Sequence, residues 1–246
     1  MMKKLLILLV LLAACTQNIE RGGTMQNIEG VDIQWLGHST FKIISDKIIY
    51  FDPFQLKTSF NDADIIFITH EHYDHCSLQD IERLIKPETI IVTITECQSK
   101  ISKISDKVSN IILMEPNQEK KVDGINVKTI LSYNINKFRS PGLVFHPKED
   151  GRVGFIININ GKNIYHAGDT DFIPEIKQLN SIDIALVPVS GTYVMTAEEA
   201  AQAVDSFNPK VAVPMHYGSG VAGTEEDAVK FKSLVKGSQV IILKKS

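Results

Sequence analysis

The spacing of hydrophobic positions changes repeatedly along the chain, and the changes outline its elements. Residues 31–36, 41–45 and 47–51 are short β-rich runs with turn chemistry at Ser45-Asp46, and they predict three successive strands. DIIFIT at 64–69 is a continuous apolar run, the pattern of a strand covered on both faces. Leu78, Ile81, Leu84 and Ile85 then recur at helical spacing over 77–85. Residues 89–94 and 110–114 read as buried strands on either side of a helix over 99–108. Strands follow at 125–131, 153–159 and 163–166, with Asn160-Gly161 as a two-residue hairpin turn. Further strands at 182–189 and 210–215 enclose a helix over 197–207, whose start carries a capping box, Thr196 with Glu199. A helix over 225–234 and a strand over 239–243 close the chain. No Pro-, Gly- or Ser-rich linker divides 31–246, so interleaved strands and helices predict one layered α/β domain.

The first thirty residues follow different rules. Lys3 and Lys4 precede an unbroken apolar run, Leu5 to Leu12, and then Ala13, Ala14 and Cys15. That run is too short to span a bilayer, which takes about 20 residues, and it has the form of a secretory signal. Residues 16–30 are polar, contain QNIE twice (17–20 and 26–29), and read as a tether. The expected organisation is a leader over 1–14, a tether over 15–30 and the folded domain over 31–246. The Leu12-Ala13-Ala14-Cys15 ending resembles the lipobox of bacterial lipoproteins, which implies a lipid on Cys15 and a membrane-anchored, extracytoplasmic protein. Translation from Met25 would instead begin a cytoplasmic protein.

Composition narrows the classes. With 43% hydrophobic and 22% charged residues among 246, the chain is ordinary globular protein. A net charge of −3 without a long basic run argues against a nucleic-acid partner. Three cysteines (Cys15, Cys76 and Cys97) exclude a disulfide scaffold and a four-cysteine zinc site. Cys76 reads as a small buried residue beside His75, and Cys97 has no partner motif.

Chemistry gathers at strand ends. After DIIFIT the chain reads His70-Glu71-His72-Tyr73-Asp74-His75, four possible metal ligands within six residues, holding three of the seven histidines. Imidazole with carboxylate suits zinc, and also iron or manganese. Asp169 follows another strand in His166-Ala167-Gly168-Asp169, where a glycine lets backbones approach, and His216 follows a third in Val213-Pro214-Met215-His216.

HEHYDH matches the HxHxDH signature of the metallo-β-lactamase superfamily, and the order of Gly37-His38-Ser39, this signature, a middle histidine, Gly168-Asp169-Thr170 and a late histidine is similar as well. WLGHST, IYHAGDTD and VPMHY look most like the branch of ascorbate-6-phosphate lactonase and related hydrolases, itself similar to the N-acyl-phosphatidylethanolamine phospholipase D type. The resemblance covers 31 to the C-terminus and implies a four-layer αββα sandwich with two divalent metal ions, zinc before Mn²⁺ or Fe²⁺. It implies His70, His72 and His146 on one metal, Asp74, His75 and His216 on the other, and Asp169 between them. His146 lacks the GHTPG form common at that ligand. Such a pair of ions activates a shared water for attack on an ester, lactone or phosphodiester, with Asp74 or Asp169 orienting it or taking its proton. His38, Lys137, Arg139 and Tyr193 are candidate substrate contacts; His38 has a supporting role as its alternative, and His166 reads as structural. The substrate is a small molecule or lipid-like. Competing readings are a membrane-anchored metal- or ligand-binding protein without catalysis and a phospholipid-directed phosphodiesterase.

Overall fold

A computed structural model describes residues 24–246, so the leader, Cys15 and most of the expected tether lie outside the described residues. β1 (Gln26–Ile28), β2 (Val31–Gly37), β3 (Thr40–Ile44) and β4 (Ile48–Phe51) form an antiparallel meander. β5 (Ile65–Phe67), β6 (Ile90–Thr93) and β7 (Asn110–Leu113) extend it in parallel to seven strands. α1 (Leu78–Glu82) and α2 (Gln98–Ile101) lie between the parallel strands.

The second half repeats this plan. β8 (Glu119–Val122) and β9 (Ile125–Leu131) are followed by a separate hairpin, β10 (Phe138–Ser140) and β11 (Leu143–Val144). Then come β12 (Val153–Ile159), β13 (Lys162–His166), β14 (Ile184–Pro188), α3 (Ala197–Phe207), β15 (Val211–Met215), α4 (Glu225–Leu234) and β16 (Gln239–Val240). The sheet order is β16-β15-β14-β13-β12-β9-β8, antiparallel from β8 to β13 and parallel from β13 to β16. Two mixed seven-stranded sheets flanked by helices make the α/β sandwich that was expected.

Three local readings change. The tether ends before residue 30: Ile28 is buried and pairs with Val31, and Glu29 (φ 53°) and Gly30 (φ 84°) make the left-handed turn between them. The helix expected over 77–85 is only the five residues of α1. The helix expected over 99–108 is α-helical only to Ile101 and continues as a 3₁₀ helix over Ser102–Lys107. Its buried Ile101 and Ile104 stand three apart, the spacing that keeps one face aligned in a 3₁₀ turn. Elsewhere side-chain chemistry sets the ends as read. Thr196 and Glu199 close the capping box of α3, and Asn208 ends it at φ 45°. The Asn160-Gly161 turn, with φ of 53° and 76°, joins β12 to β13.

The sheets pack through aromatic rings. Phe67 of the first sheet meets Phe155 of the second at 5.0 Å, while Phe51 stacks on Phe67 at 5.1 Å and on His166 at 4.8 Å. All three phenylalanines are fully buried, each contributing roughly 1.5–3 kcal/mol of apolar burial. This packing aligns the carboxyl ends of β2, β4, β5, β13, β14 and β15, where open α/β sheets bind their ligands. Across that edge the His216 amide donates to the His38 carbonyl at 3.0 Å, joining the two halves. Among the described residues no helix is long and apolar enough to cross a membrane.

Candidate metal centre

Each strand end delivers a ligand-type side chain. β5 leads into Thr69 and His70, and the turn beyond it carries His72, Asp74 and His75. Asp169 follows β13 after Gly168, whose φ of +62° and position leave no room for a side chain: a Cβ there would stand 2.9 Å from the Val153 carbonyl oxygen. His216 follows β15 at φ 62°, and His146 follows the β10–β11 hairpin.

These residues converge. Ligand atoms within 4.8 Å of one another form three groups: His70, His72 and His146; His70, His75 and Asp169; and His38, Asp74, His75 and His216. Asp169 sits between them, its Oδ2 3.1 Å from His216 Nε2, 3.4 Å from His146 Nε2 and 3.9 Å from His70 Nε2, its Oδ1 3.2 Å from His75 Nε2.

Hydrogen bonding fixes which face each imidazole presents. The Thr69 hydroxyl donates to Asp52 Oδ2 at 2.7 Å, so its oxygen accepts from His70 Nδ1 at 3.0 Å. His75 Nδ1 donates to the same Asp52 oxygen at 2.8 Å, His146 Nδ1 to Asn134 Oδ1 at 2.8 Å and His216 Nδ1 to Ser190 Oγ at 2.9 Å. Four rings thus spend Nδ1 on the protein and turn Nε2 inward, as metal-ligating histidines do. The Nε2 atoms of His70, His75, His146 and His216, with Asp169 Oδ1, are buried and have no hydrogen-bond partner. Buried polar atoms are normally paired, and five such atoms gathered at Asp169 are a donor set that a cation would satisfy. Nitrogen and carboxylate donors in this number fit divalent metal ions.

His38 is built differently. Its Nε2 donates to Asp74 Oδ2 at 3.0 Å, and its Nδ1 accepts from the Ser219 hydroxyl at 2.9 Å. Both nitrogens are occupied and the ring is buried, so its role is to hold Asp74 rather than to meet substrate. Burial and the neighbouring His216 push its pKa down to about 4, so it stays neutral. Burial works against the charge on Asp74, but His75 and the His38 hydrogen bond outweigh it and hold that carboxyl at about 2. Burial likewise opposes charge on Asp169, yet His216 and His75 keep it well below the usual carboxylate range. Burial alone would lower His75, but Asp169, Asp52 and Asp74 raise it well above 6.5.

The model of the beta-lactamase superfamily domain matches residues 32–216, which include every residue of this cluster. A UPF0173 metal-dependent hydrolase of Thermococcus onnurineus is 31% identical over 232 residues, covering 87% of this chain and 96% of the relative. The chain belongs to the metallo-β-lactamase superfamily, in its UPF0173 metal-dependent hydrolase family. Among solved structures similar to it, one from Parabacteroides distasonis aligns with a TM-score of 0.74 and 28% identity, over 91% of this chain and 99% of that one. The metallo hydrolase Igni18 of Ignicoccus hospitalis aligns at 0.67 and 26%, over 88% and 96%.

The family is one of metal-dependent hydrolases and the cluster could hold the metal; the remaining candidates sort around it. His72 is the most open of the cluster's histidines, its side chain 38% exposed, and marks the solvent side. Lys137 is already engaged: its ammonium is 2.7 Å from Glu199 on α3 and 3.4 Å from Asp171 after β13, so its charge is matched. Arg139 is exposed on β10, outside the cluster. The Tyr193 ring packs edge-on against Phe145 at 4.7 Å, and its carbonyl accepts from Asn134. His166 is structural as read, its Nε2 2.9 Å from the Ser39 carbonyl oxygen. Cys76 and Cys97 are both buried free thiols, and each shifts the other's ionisation.

Several functional residues escaped the sequence reading. Asp52, fully buried at φ 40°, orients two histidines, and Asn134 and Ser190 orient one each. Arg152, paired with both carboxylate oxygens of Glu71, lies 3.3 Å from His72 Nε2. A lone Asp, Asn, Ser or Arg in a loop carries no spacing signal. Only the position of Asp52 after a strand hinted at a role.

Proposed function

We propose that this chain is a dinuclear zinc hydrolase that cleaves an ester, lactone or phosphodiester. One metal is held by His70, His72 and His146, the other by Asp74, His75 and His216, with Asp169 shared. The observation that carries this reading is the set of five buried ligand atoms without hydrogen-bond partners gathered at Asp169. The two groups on either side of Asp169 divide the donors between two ions, and an imidazole-rich donor set with carboxylates suits zinc. When bound, a pair of divalent ions supplies Lewis acidity and acidifies water at neutral pH.

The residues of the chain supply the rest. Asp169 offsets cationic charge at the centre. Asp52, Asn134 and Ser190 hold the rings so that their Nε2 lone pairs stay available. Asp74, ionised and anchored by His38, can accept a proton at the reacting centre. Substrate enters past His72. The lactone and phosphodiester readings both stay within this chemistry, since each places one polarised oxygen beside an attackable centre.

Cys15 carries a lipid anchor, which places the protein on the outer side of a membrane. Palmitate labelling that disappears in Cys15→Ala is the expected result, and an unlabelled wild type argues for a cytoplasmic protein. For the hydrolase, metal content is measured by mass spectrometry alongside turnover of chromogenic esters, lactones, β-lactams and bis-phosphodiesters. Two zinc ions per chain with turnover of an ester, lactone or phosphodiester is expected. Tight stoichiometric metal with no turnover of any class would instead make the chain a binding protein.

A further inference from the structure

Six large hydrophobic side chains are exposed among the described residues, and four of them lie on segments that carry residues of the metal cluster. Tyr73 (63% exposed) lies inside the HEHYDH turn, and Ile135 (51%), Phe138 (53%) and Leu143 (39%) lie on the segment between Asn134 and His146. The other two, Val229 and Leu234, are on α4. Asn134 and His146 bracket the β10–β11 hairpin and are tied to each other, the Asn134 amide to the His146 carbonyl at 2.8 Å and the His146 amide to Asn134 Oδ1 at 2.9 Å. The hairpin therefore rises directly from a residue of the metal cluster. It pairs with neither main sheet, so no sheet contact covers its apolar side chains.

Its charge is one-sided. In a chain of net charge −3, no acidic residue occurs between Leu131 and Glu149, a stretch that holds Lys137, Arg139 and Lys148. Lys137 and Lys148 pair with Glu199 and Glu175, while Arg139 forms no ion pair among the described residues. An exposed Phe and Leu beside a free guanidinium is the composition of an interfacial anchor, whose apolar side chains enter the acyl boundary while the cation meets anionic headgroups.

A second, independent observation points to the same edge. β1 pairs antiparallel with β2, Gln26 opposite Ile33 and Ile28 opposite Val31, and β2 runs toward His38 at the metal edge. Followed backward, β1 itself runs toward that edge. Cys15 precedes Thr24 by nine residues, which at about 3.3–3.6 Å each reach no more than roughly 30 Å.

We propose that the β10–β11 hairpin seats on a bilayer bearing anionic headgroups and holds the metal centre against the membrane, so that the hydrolase draws an amphiphilic substrate from the lipid surface. This rests on the hydrolase and Cys15 readings above, and it adds the surface on which they operate. A second copy of the chain is a poorer occupant. Four side chains about half exposed present on the order of 400 Å², against the roughly 800 Å² a standard interface buries on each partner.

The test uses residues 16–246, loaded with zinc, so that neither the apolar run before Cys15 nor a lipid on it masks the contact. Co-sedimentation is measured with phosphatidylcholine vesicles with and without 30% phosphatidylglycerol, alongside turnover of a short soluble chromogenic ester. Binding that needs the anionic lipid, and that falls about tenfold or more in Phe138→Ser/Leu143→Ser with ester turnover unchanged, is the expected result. Phe138→Trp adds a direct reading, because the single native tryptophan, Trp35, is buried: brominated lipid should quench the new fluorescence. Equal sedimentation of the double variant, absence of quenching, or a dimer that the double variant converts to monomer overturns the proposal. Failure of every chain to turn over any ester, with vesicle binding intact, counts against the hydrolase reading alone.

Discussion

The two halves of the molecule share one strand plan and supply the metal centre in opposite ways. The first half delivers four ligand-type residues from one turn, His70 to His75, immediately after β5. The second half delivers His146, Asp169 and His216 singly, from a hairpin and two strand ends spread over some seventy residues. The supporting residues differ in kind as well. In the first half, Asp52 orients both His70 (through Thr69) and His75, so two of the four ligands share one buried brace, while His38 holds Asp74. In the second half each histidine has its own, Asn134 for His146 and Ser190 for His216. Neighbouring ligands can share a brace, whereas dispersed ligands need one each and depend on the packing of the whole sheet.

The strongest way to break this comparison is at the shared point. Asp169→Ala should remove metal from both sides and lower hydrolysis on the order of a thousandfold or more, read by metal stoichiometry and kcat/KM together. Full metal and full activity in this variant would mean the cluster is not the centre.

The braces come next. Asp52→Asn should weaken metal affinity by about 10–100-fold, because two rings lose their orientation. Ser190→Ala, which frees only His216, should cost distinctly less. Chelator competition separates the two, and equal losses would erase the asymmetry between the halves.

The pH dependence of the metal-free chain sharpens the comparison further. Burial holds His146 at about 3 and His38 at about 4, and drives His70, His72 and His166 below 6.5. The unfolded chain takes up those protons near 6.5, so it binds more protons than the folded chain below that pH, and stability falls on acidification from 6.5 toward 3–4. His75 has the opposite sign. Its folded value is raised, so its contribution is complete below 6.5 and is lost as pH rises through that raised value. Urea midpoints of chelator-treated protein should therefore peak near pH 6.5, and a steady rise from pH 5 to 8 would contradict this account.

The smallest effect on catalysis is expected at Lys137. Because its charge is matched by Glu199 and Asp171, Lys137→Met should leave KM for an anionic substrate unchanged while costing roughly 1–3 kcal/mol of stability from the unpaired carboxylates. A raised KM with an unchanged melting temperature would return Lys137 to the substrate.

The same contrast separates what could be read along the chain from what could not. The HEHYDH turn was legible because its ligands lie within a few residues and need no knowledge of the fold. Strand runs such as 125–131 and the cap of α3 were legible because side-chain period and local hydrogen bonding act over short range. The strand Gln26–Ile28 was missed because three residues carry too little pattern, and it exists by pairing with β2. The helix over 99–108 was over-extended because a spacing of three serves an α-helix and a 3₁₀ turn alike.

Local sequence determined the ligand types, the turn that carries four of them, and the strand ends that bear the others. Tertiary structure alone decided that His38 holds Asp74, that Asp52 braces two rings, that Lys137 is neutralised by Glu199 and Asp171 from other elements, and that Tyr73, Ile135, Phe138 and Leu143 stay exposed. The physical reason is range. Propensity and periodicity act between residues a few positions apart, whereas orientation, burial and charge matching depend on groups brought together only when two sheets pack face to face.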